Sequence, residues 1–250
     1  ALAISYHGSE VSSFPILADG QLGPRASLLT HTGTLGPNTK RQEKPHPHSL
    51  TFSPDGRFVY VCDLGLDRIF QYKFDPVTAV LTRVGEAPAA PGAGPRHSKF
   101  SPDGKFFYVI NELNCSVTTY AVDAATGALS TLQSLSTLPV GFSGESICAE
   151  IRLSPDARFV YGSNRGHDSL AVFARDAAKG TLTPVEIVPT GGKHPRNFNL
   201  SADGRWLVCA NRDTDNVTVF RVDPATGRLS ATGQGAKVPQ AVCVLFAPGS

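Results

Sequence analysis

SPDGRFVYVCDLGLDRIFQY, residues 53–72, carries the pattern that decides the fold. A Ser-Pro-Asp-Gly turn leads from an apolar stretch into an aromatic-rich one, a short polar turn follows, and alternating residues then run to Tyr72. The order is strand, turn, strand, turn, strand. It returns in SPDGKFFYVINELNCSVTTY from Ser101, SPDARFVYGSNRGHDSLAVF from Ser154 and SADGRWLVCANRDTDNVTVF from Ser201, a period of about fifty residues. After each copy a turn such as DAATGAL at Asp123 or DPATGRL at Asp223 opens a further strand bearing Leu81, Leu129, Leu182 or Leu229. Four strands per module and no helical period predict an all-β chain, a β-propeller of four-stranded antiparallel blades.

The ends fit the same template. Ala1 to Leu29 supplies a second strand, a third ending at Phe14 and a fourth around Leu22, and Val242 to Pro248 supplies a first strand. Joined, they would form a fifth module and close a ring, which removes exposed sheet edges. About five blade modules in a single β-propeller domain over residues 1–250 are therefore expected. The sequence opens inside strand-like ALAISYHG and contains no Met, so residues are expected to be missing at its front. One stretch breaks the period: HTGTLGPNTKRQEKPHPH, residues 31–48, is polar, holds Pro and Gly, and predicts a long loop of the kind that more often carries function than not.

With 41% hydrophobic and 18% charged residues among 250, the chain can bury a sizeable core. Its net charge of +2 gives no basis for nucleic acid or a membrane surface as partner and leaves small anions open. The five Cys residues lie far apart without CxxC or Cys/His ligand spacing, an odd set that suits a reducing compartment, and a cytoplasmic location is expected. No apolar run approaches the roughly 18 residues of a membrane span.

In a propeller the first strand of every blade lines the central channel, so strand-end residues of different blades converge. Five residues before the repeat Ser stand His48, Arg96, Ala149 and Arg196; eleven after it stand Leu64, Glu112, Arg165 and Arg212, with Tyr6 from the split module. If each hairpin turns about its Asp-Gly pair, the two sets face each other at one end of the blades. His, Glu and four Arg at one channel mouth suit an anionic small molecule. A bulge in the turn would bring His97, Glu150 or Asn164 in instead. Asp55, Asp103, Asp156 and Asp203 recur with the turn and belong to it. His46 and His48, one residue apart without a third ligand, do not make a metal site.

The motifs PHPHS from Pro45, PRH from Pro95, NEL from Asn111 and SNRG from Ser163, in this order, strongly resemble the seven-bladed lactonase family, and the likeness covers nearly the whole chain. That family holds the propeller type of 6-phosphogluconolactonase and the fungal 3-carboxy-cis,cis-muconate lactonizing enzyme. Carried over motif by motif, the resemblance implies a site of one His, two Arg and a Glu at His48, Arg96, Glu112 and Arg165, all four among the positions that the hairpin argument selects. It also implies seven blades, about two more than this chain accounts for. The implied reaction is metal-independent, cofactor-free hydrolysis of a sugar-acid lactone, most of all 6-phosphogluconolactone; for it His48, Glu112 and Arg165 are read as catalytic, and Arg96, together with Arg196 and His97 from the hairpin positions, as binding the anion. Two alternatives stand beside it: the muconate-lactonizing reaction, and a non-catalytic propeller that binds a ligand or protein on its face.

Overall fold

The computed structural model describes residues 1–247. Its elements are strands, with one short 3-10 turn at Arg212–Thr214. Among the described residues no helix is long and apolar enough to cross a membrane. The chain divides into two compact units, Ala1–Phe107 with Ala121–Thr131, and Tyr108–Tyr120 with the residues from Leu132 onward.

The first unit holds a three-stranded sheet, β1 (Leu2–Ser5), β2 (Glu10–Ser13) and β3 (Ser27–Thr30), and a four-stranded one, β4 (Pro47–Phe52), β5 (Phe58–Asp63), β6 (Arg68–Phe74) and β7 (Leu81–Pro88), each in chain order. A third sheet, of β8 (Pro95–Phe100), β9 (Phe106–Asn111), β10 (Ser116–Val122) and β11 (Leu129–Ser136), supplies residues to both units. The second unit holds β12 (Ile147–Leu153), β13 (Phe159–Arg165), β14 (Ser169–Arg175) and β15 (Leu182–Pro189), then β16 (Pro195–Leu200), β17 (Trp206–Asn211), β18 (Asn216–Val222) and β19 (Leu229–Lys237), again as two four-stranded sheets. Neighbouring strands with described registers pair antiparallel.

The repeat Ser-Pro-Asp-Gly works as a local hydrogen-bonded unit. Ser53 Oγ donates to Asp55 Oδ1 at 2.6 Å and accepts the Phe58 N–H at 3.0 Å, while Asp55 also receives Arg57 Nε at 2.6 Å. The Ser hydroxyl first, then Arg57, holds the Asp55 carboxyl at about 2. Ser101–Asp103, Ser154–Asp156 and Ser201–Asp203 repeat the Ser–Asp bond at 2.6 Å each. The turn closes in the left-handed region, occupied by Gly56, Gly104 and Gly204 at φ 72°, 71° and 70° but by Ala157 at φ 55°. A Cβ there is strained, so Ala157→Gly should raise stability by about 0.5 kcal/mol, the relief exceeding the entropy glycine adds to the unfolded chain. Chemical denaturation measures it, and a destabilised variant contradicts the strain.

Second strands are covered on both faces, which is why β5 and β9 read as continuous apolar runs instead of alternating ones. In the second unit Phe159, Tyr161, Leu170 and Val172 pack against Phe198, Leu207, Cys209, Phe220 and Leu229. A tyrosine staple spans adjacent modules: Tyr161 Oη donates to the Gly227 carbonyl at 3.0 Å, as Tyr60 does to Gly127 and Tyr108 to Gly180. Removing that hydroxyl leaves a buried carbonyl short of a donor. Tyr161→Phe should cost about 1–2 kcal/mol in unfolding free energy, and an unchanged denaturation midpoint would show that water replaces the bond.

Three expectations differ from the structure. Residues 241–247 form no strand; Val244 N–H donates to Asn197 Oδ1 at 2.8 Å and its carbonyl accepts Asn199 Nδ2, so this segment lies beside β16. The sheet begun by β1 has three strands, and the ring-closing strand expected at Val242–Pro248 is not formed within the described residues. The strand expected around Leu22 is a single bridge to Ile16, and the third strand of that sheet lies at Ser27–Thr30, because Pro15 and Pro24 withhold ladder donors on either side.

Residues 31–46 do run outside strands, but they are pinned. Gln42 Nε2 donates to the Leu64 carbonyl at 2.9 Å, and the buried Asp63 accepts the His46, Gly65 and Leu66 N–H groups through Oδ1. Its Oδ2 accepts His31 Nδ1–H at 2.6 Å, and Tyr72 Oη donates to His31 Nε2 at 2.8 Å. The loop is thereby fixed to the β5–β6 turn.

Candidate active site

The expected opposition of His48 to Leu64, Ala149 to Arg165 and Arg196 to Arg212 is absent. Pro47 pairs with Asp63 and Ser49 with Cys62, so His48 sits in a β-bulge between them. Arg196 occupies the matching bulge between Pro195 and Asn197, and Ala149 and Glu150 that between Cys148 and Ile151. The extra residue lies at the strand's far end, not in the turn. A bulge re-aims one side chain out of the ladder, and three inner strands spend theirs at the positions singled out by sequence.

In the first unit, strand β4 carries His48 and β8 carries Arg96 and His97. The His48 and His97 rings meet edge-to-face with centroids 5.2 Å apart, and buried Arg96 places Nη1 3.2 Å from His97 Nε2. The guanidinium donates, so His97 accepts at Nε2. Tyr6, from the β1–β2 turn, stacks on His46 at 4.2 Å and meets His48 edge-on at 5.5 Å. His46 is itself held between the Tyr6 carbonyl and Glu43 Oε1. An imidazole, a guanidinium and a phenol thus share one cluster. His46 belongs to its support.

In the second unit Arg165 closes β13 and Glu112 follows β9. Arg165 Nη2 lies 2.9 Å from Glu112 Oε2, with 5% and 2% of the two side chains exposed, and the same nitrogen donates to the Cys148 carbonyl. The Cys148 N–H donates to the Glu112 carbonyl at 2.9 Å, so backbone and side chains lock the pair together. Arg165 Nε is buried without a hydrogen-bond partner. Burial presses the Arg165 pKa below an ordinary guanidinium, Glu112 opposes this and the charge of Arg196 adds to it. Arg212 turns elsewhere, its Nε 2.6 Å from Asp213 Oδ1 on the surface. Sequence reasoning missed His194, two residues before Arg196, whose left-handed backbone nothing in the sequence announces. Among the described residues no three of His, Cys, Asp and Glu gather as a metal-ligand set.

Four-stranded antiparallel sheets repeated about every fifty residues are the blades of a β-propeller. The model of the lactonase family, a seven-bladed β-propeller, matches residues 2–246, and this chain belongs to that family. It is 40% identical over 245 residues to a 6-phosphogluconolactonase of Bacillus subtilis, covering 98% of this chain and 69% of the relative. A crystal structure of a protein from Lactobacillus plantarum superposes with a TM-score of 0.91 at 34% identity, covering 97% of this chain and 69% of the other. The periplasmic gluconolactonase PpgL of Pseudomonas aeruginosa does so at 0.86 and 35%, covering 94% and 65%. The chain thus spans about two thirds of the length of these relatives.

Proposed function

We propose that this chain hydrolyses a sugar-acid lactone, 6-phosphogluconolactone before others, without metal or organic cofactor. The observation that carries the reading is the buried Arg165–Glu112 ion pair, formed by two of the four residues that the family motifs assign to the site. An ester carbonyl attacked by water needs a base, a cation for the developing oxyanion and groups that hold the substrate by its charge. Glu112 is engaged by Arg165, which favours the carboxylate and weakens it as a base. His48 is then the better proton acceptor, Glu112 orients Arg165, and Arg165 stabilises the oxyanion. Arg96 and Arg196 hold the phosphate, with His97 fixing the Arg96 fork. Water's proton passes to His48 as its oxygen bonds the carbonyl carbon; the ring C–O bond breaks and the leaving oxygen takes the proton.

The motifs support lactonizing of a carboxylated muconate as a second reading, in which the same arginines hold carboxylates. Incubation with 6-phosphogluconolactone, unphosphorylated gluconolactone and carboxymuconate separates the readings. Acid release from the phosphorylated lactone above its spontaneous rate is expected; loss of muconate absorbance instead would transfer the site to cyclisation, and turnover of neither would remove both.

A further inference from the structure

His194 has no place in the scheme above, yet its setting is unusual on three independent counts. It is a non-glycine residue at φ 60°, in the left-handed region that costs a side chain energy and that persists where surrounding structure enforces it. Enforcement is visible: the Asp168 carboxylate accepts the His194 N–H at 2.8 Å, and the His194 carbonyl accepts the Arg212 N–H at 3.1 Å. Its ring is polarised, with Nδ1 3.4 Å from Asp213 Oδ2. And Nε2 is buried with no hydrogen-bond partner, a condition that native proteins rarely tolerate without a functional reason.

Three arginines are tied to His194 through the backbone. Arg196 stands two residues on, Arg212 donates its N–H to His194, and Arg165 ends the strand whose following turn carries Asp168, the acceptor of both the His194 and Gly166 N–H groups. Arg165 Nε is likewise buried and unpartnered.

We propose that His194 with Arg196 forms a proton-linked phosphate subsite: as a phosphate monoester dianion binds, His194 takes up a proton at Nε2 and donates it in a hydrogen bond to a phosphate oxygen, while Nδ1–H points to Asp213. The choice of a phosphorylated ligand rests on the lactonase reading. The electrostatics agree in sign. Burial first, then the charges of Arg165, Arg212 and Arg196, hold the His194 pKa below the usual imidazole range, and Asp213 opposes them. The ring is therefore neutral near pH 7 in the free chain, and a dianion that cancels the arginine field raises its proton affinity. Uptake is then largest around neutral pH and vanishes at acid pH, where the ring is already charged.

The test is calorimetric titration of the whole chain with 6-phosphogluconate in two buffers of different ionisation enthalpy, with inorganic phosphate and gluconate as separate arms. Expected are uptake of a substantial fraction of a proton with 6-phosphogluconate and with phosphate, and neither uptake nor comparable affinity with gluconate. His194→Asn, which keeps a residue tolerant of left-handed backbone, should bind about tenfold more weakly with no uptake. Asp213→Asn, which removes the charge that supports protonation, should shift the uptake to lower pH. Undiminished uptake in His194→Asn, no binding of either phosphate, or uptake with gluconate alone overturns the proposal. Proton-linked phosphate binding without any lactone turnover keeps the subsite and removes the lactonase reading.

Discussion

Replacing Arg165 by Met should lower unfolding free energy by about 3–5 kcal/mol, the largest stability loss expected from any single change in the site. Glu112 is 1% exposed, and its carboxylate faces Arg165 at 2.9 Å. Without the guanidinium the buried Glu112 carboxylate loses its ion-pair partner at 2.9 Å, and the Cys148 carbonyl loses a donor as well. The double change Arg165→Met with Glu112→Leu should destabilise less than Arg165→Met alone, because both buried charges leave together. Denaturant midpoints of the two variants decide the matter: equal midpoints for Arg165→Met and the parent would show that the pair is not buried as described.

The second large effect is on rate. His48→Gln keeps size and hydrogen-bonding capacity but removes the group assigned to take the proton from water. Turnover of 6-phosphogluconolactone should fall about a hundredfold or more, with KM changed little, because a base acts in the transition state and not in binding. His46→Gln offers the contrast. That imidazole bonds the Tyr6 carbonyl and Glu43, so its loss should act through the placement of Tyr6 and His48 and cost less.

How much of this was legible in the sequence depends on where each interaction is encoded. The module was legible because its signal is local: Ser53, Asp55 and Gly56 bond within one turn, and four copies of that turn mark four hairpins. The candidate residues were legible for the same reason, since their distance from the turn counts along two strands. Their register was not. The bulges at His48, Arg196 and Ala149–Glu150 insert a residue without a sequence marker, so the expected facing pairs slipped. Tyr60, Tyr108 and Tyr161 lie in the aromatic-rich stretch of their repeats, and only the fold shows their hydroxyls reaching carbonyls some seventy residues on. Nothing in the sequence singles out Asp63; its role as acceptor for both the long loop and His31 needs two segments brought together in space. The closing strand failed as an expectation because VCVLF has strand composition, whereas strand formation needs a ladder partner, and residues 241–247 meet the side chains of Asn197 and Asn199 instead.

The central claim is that this chain hydrolyses a phosphorylated sugar lactone with the residues named here. Initial rates of acid release from 6-phosphogluconolactone, corrected for spontaneous hydrolysis, test it most directly when the parent chain is run beside Glu112→Gln. The account predicts catalysed release by the parent and a loss of about a hundredfold in the variant, since Gln cannot hold Arg165 as an ion pair. A parent rate no greater than the spontaneous one, or a variant as fast as the parent, would contradict it.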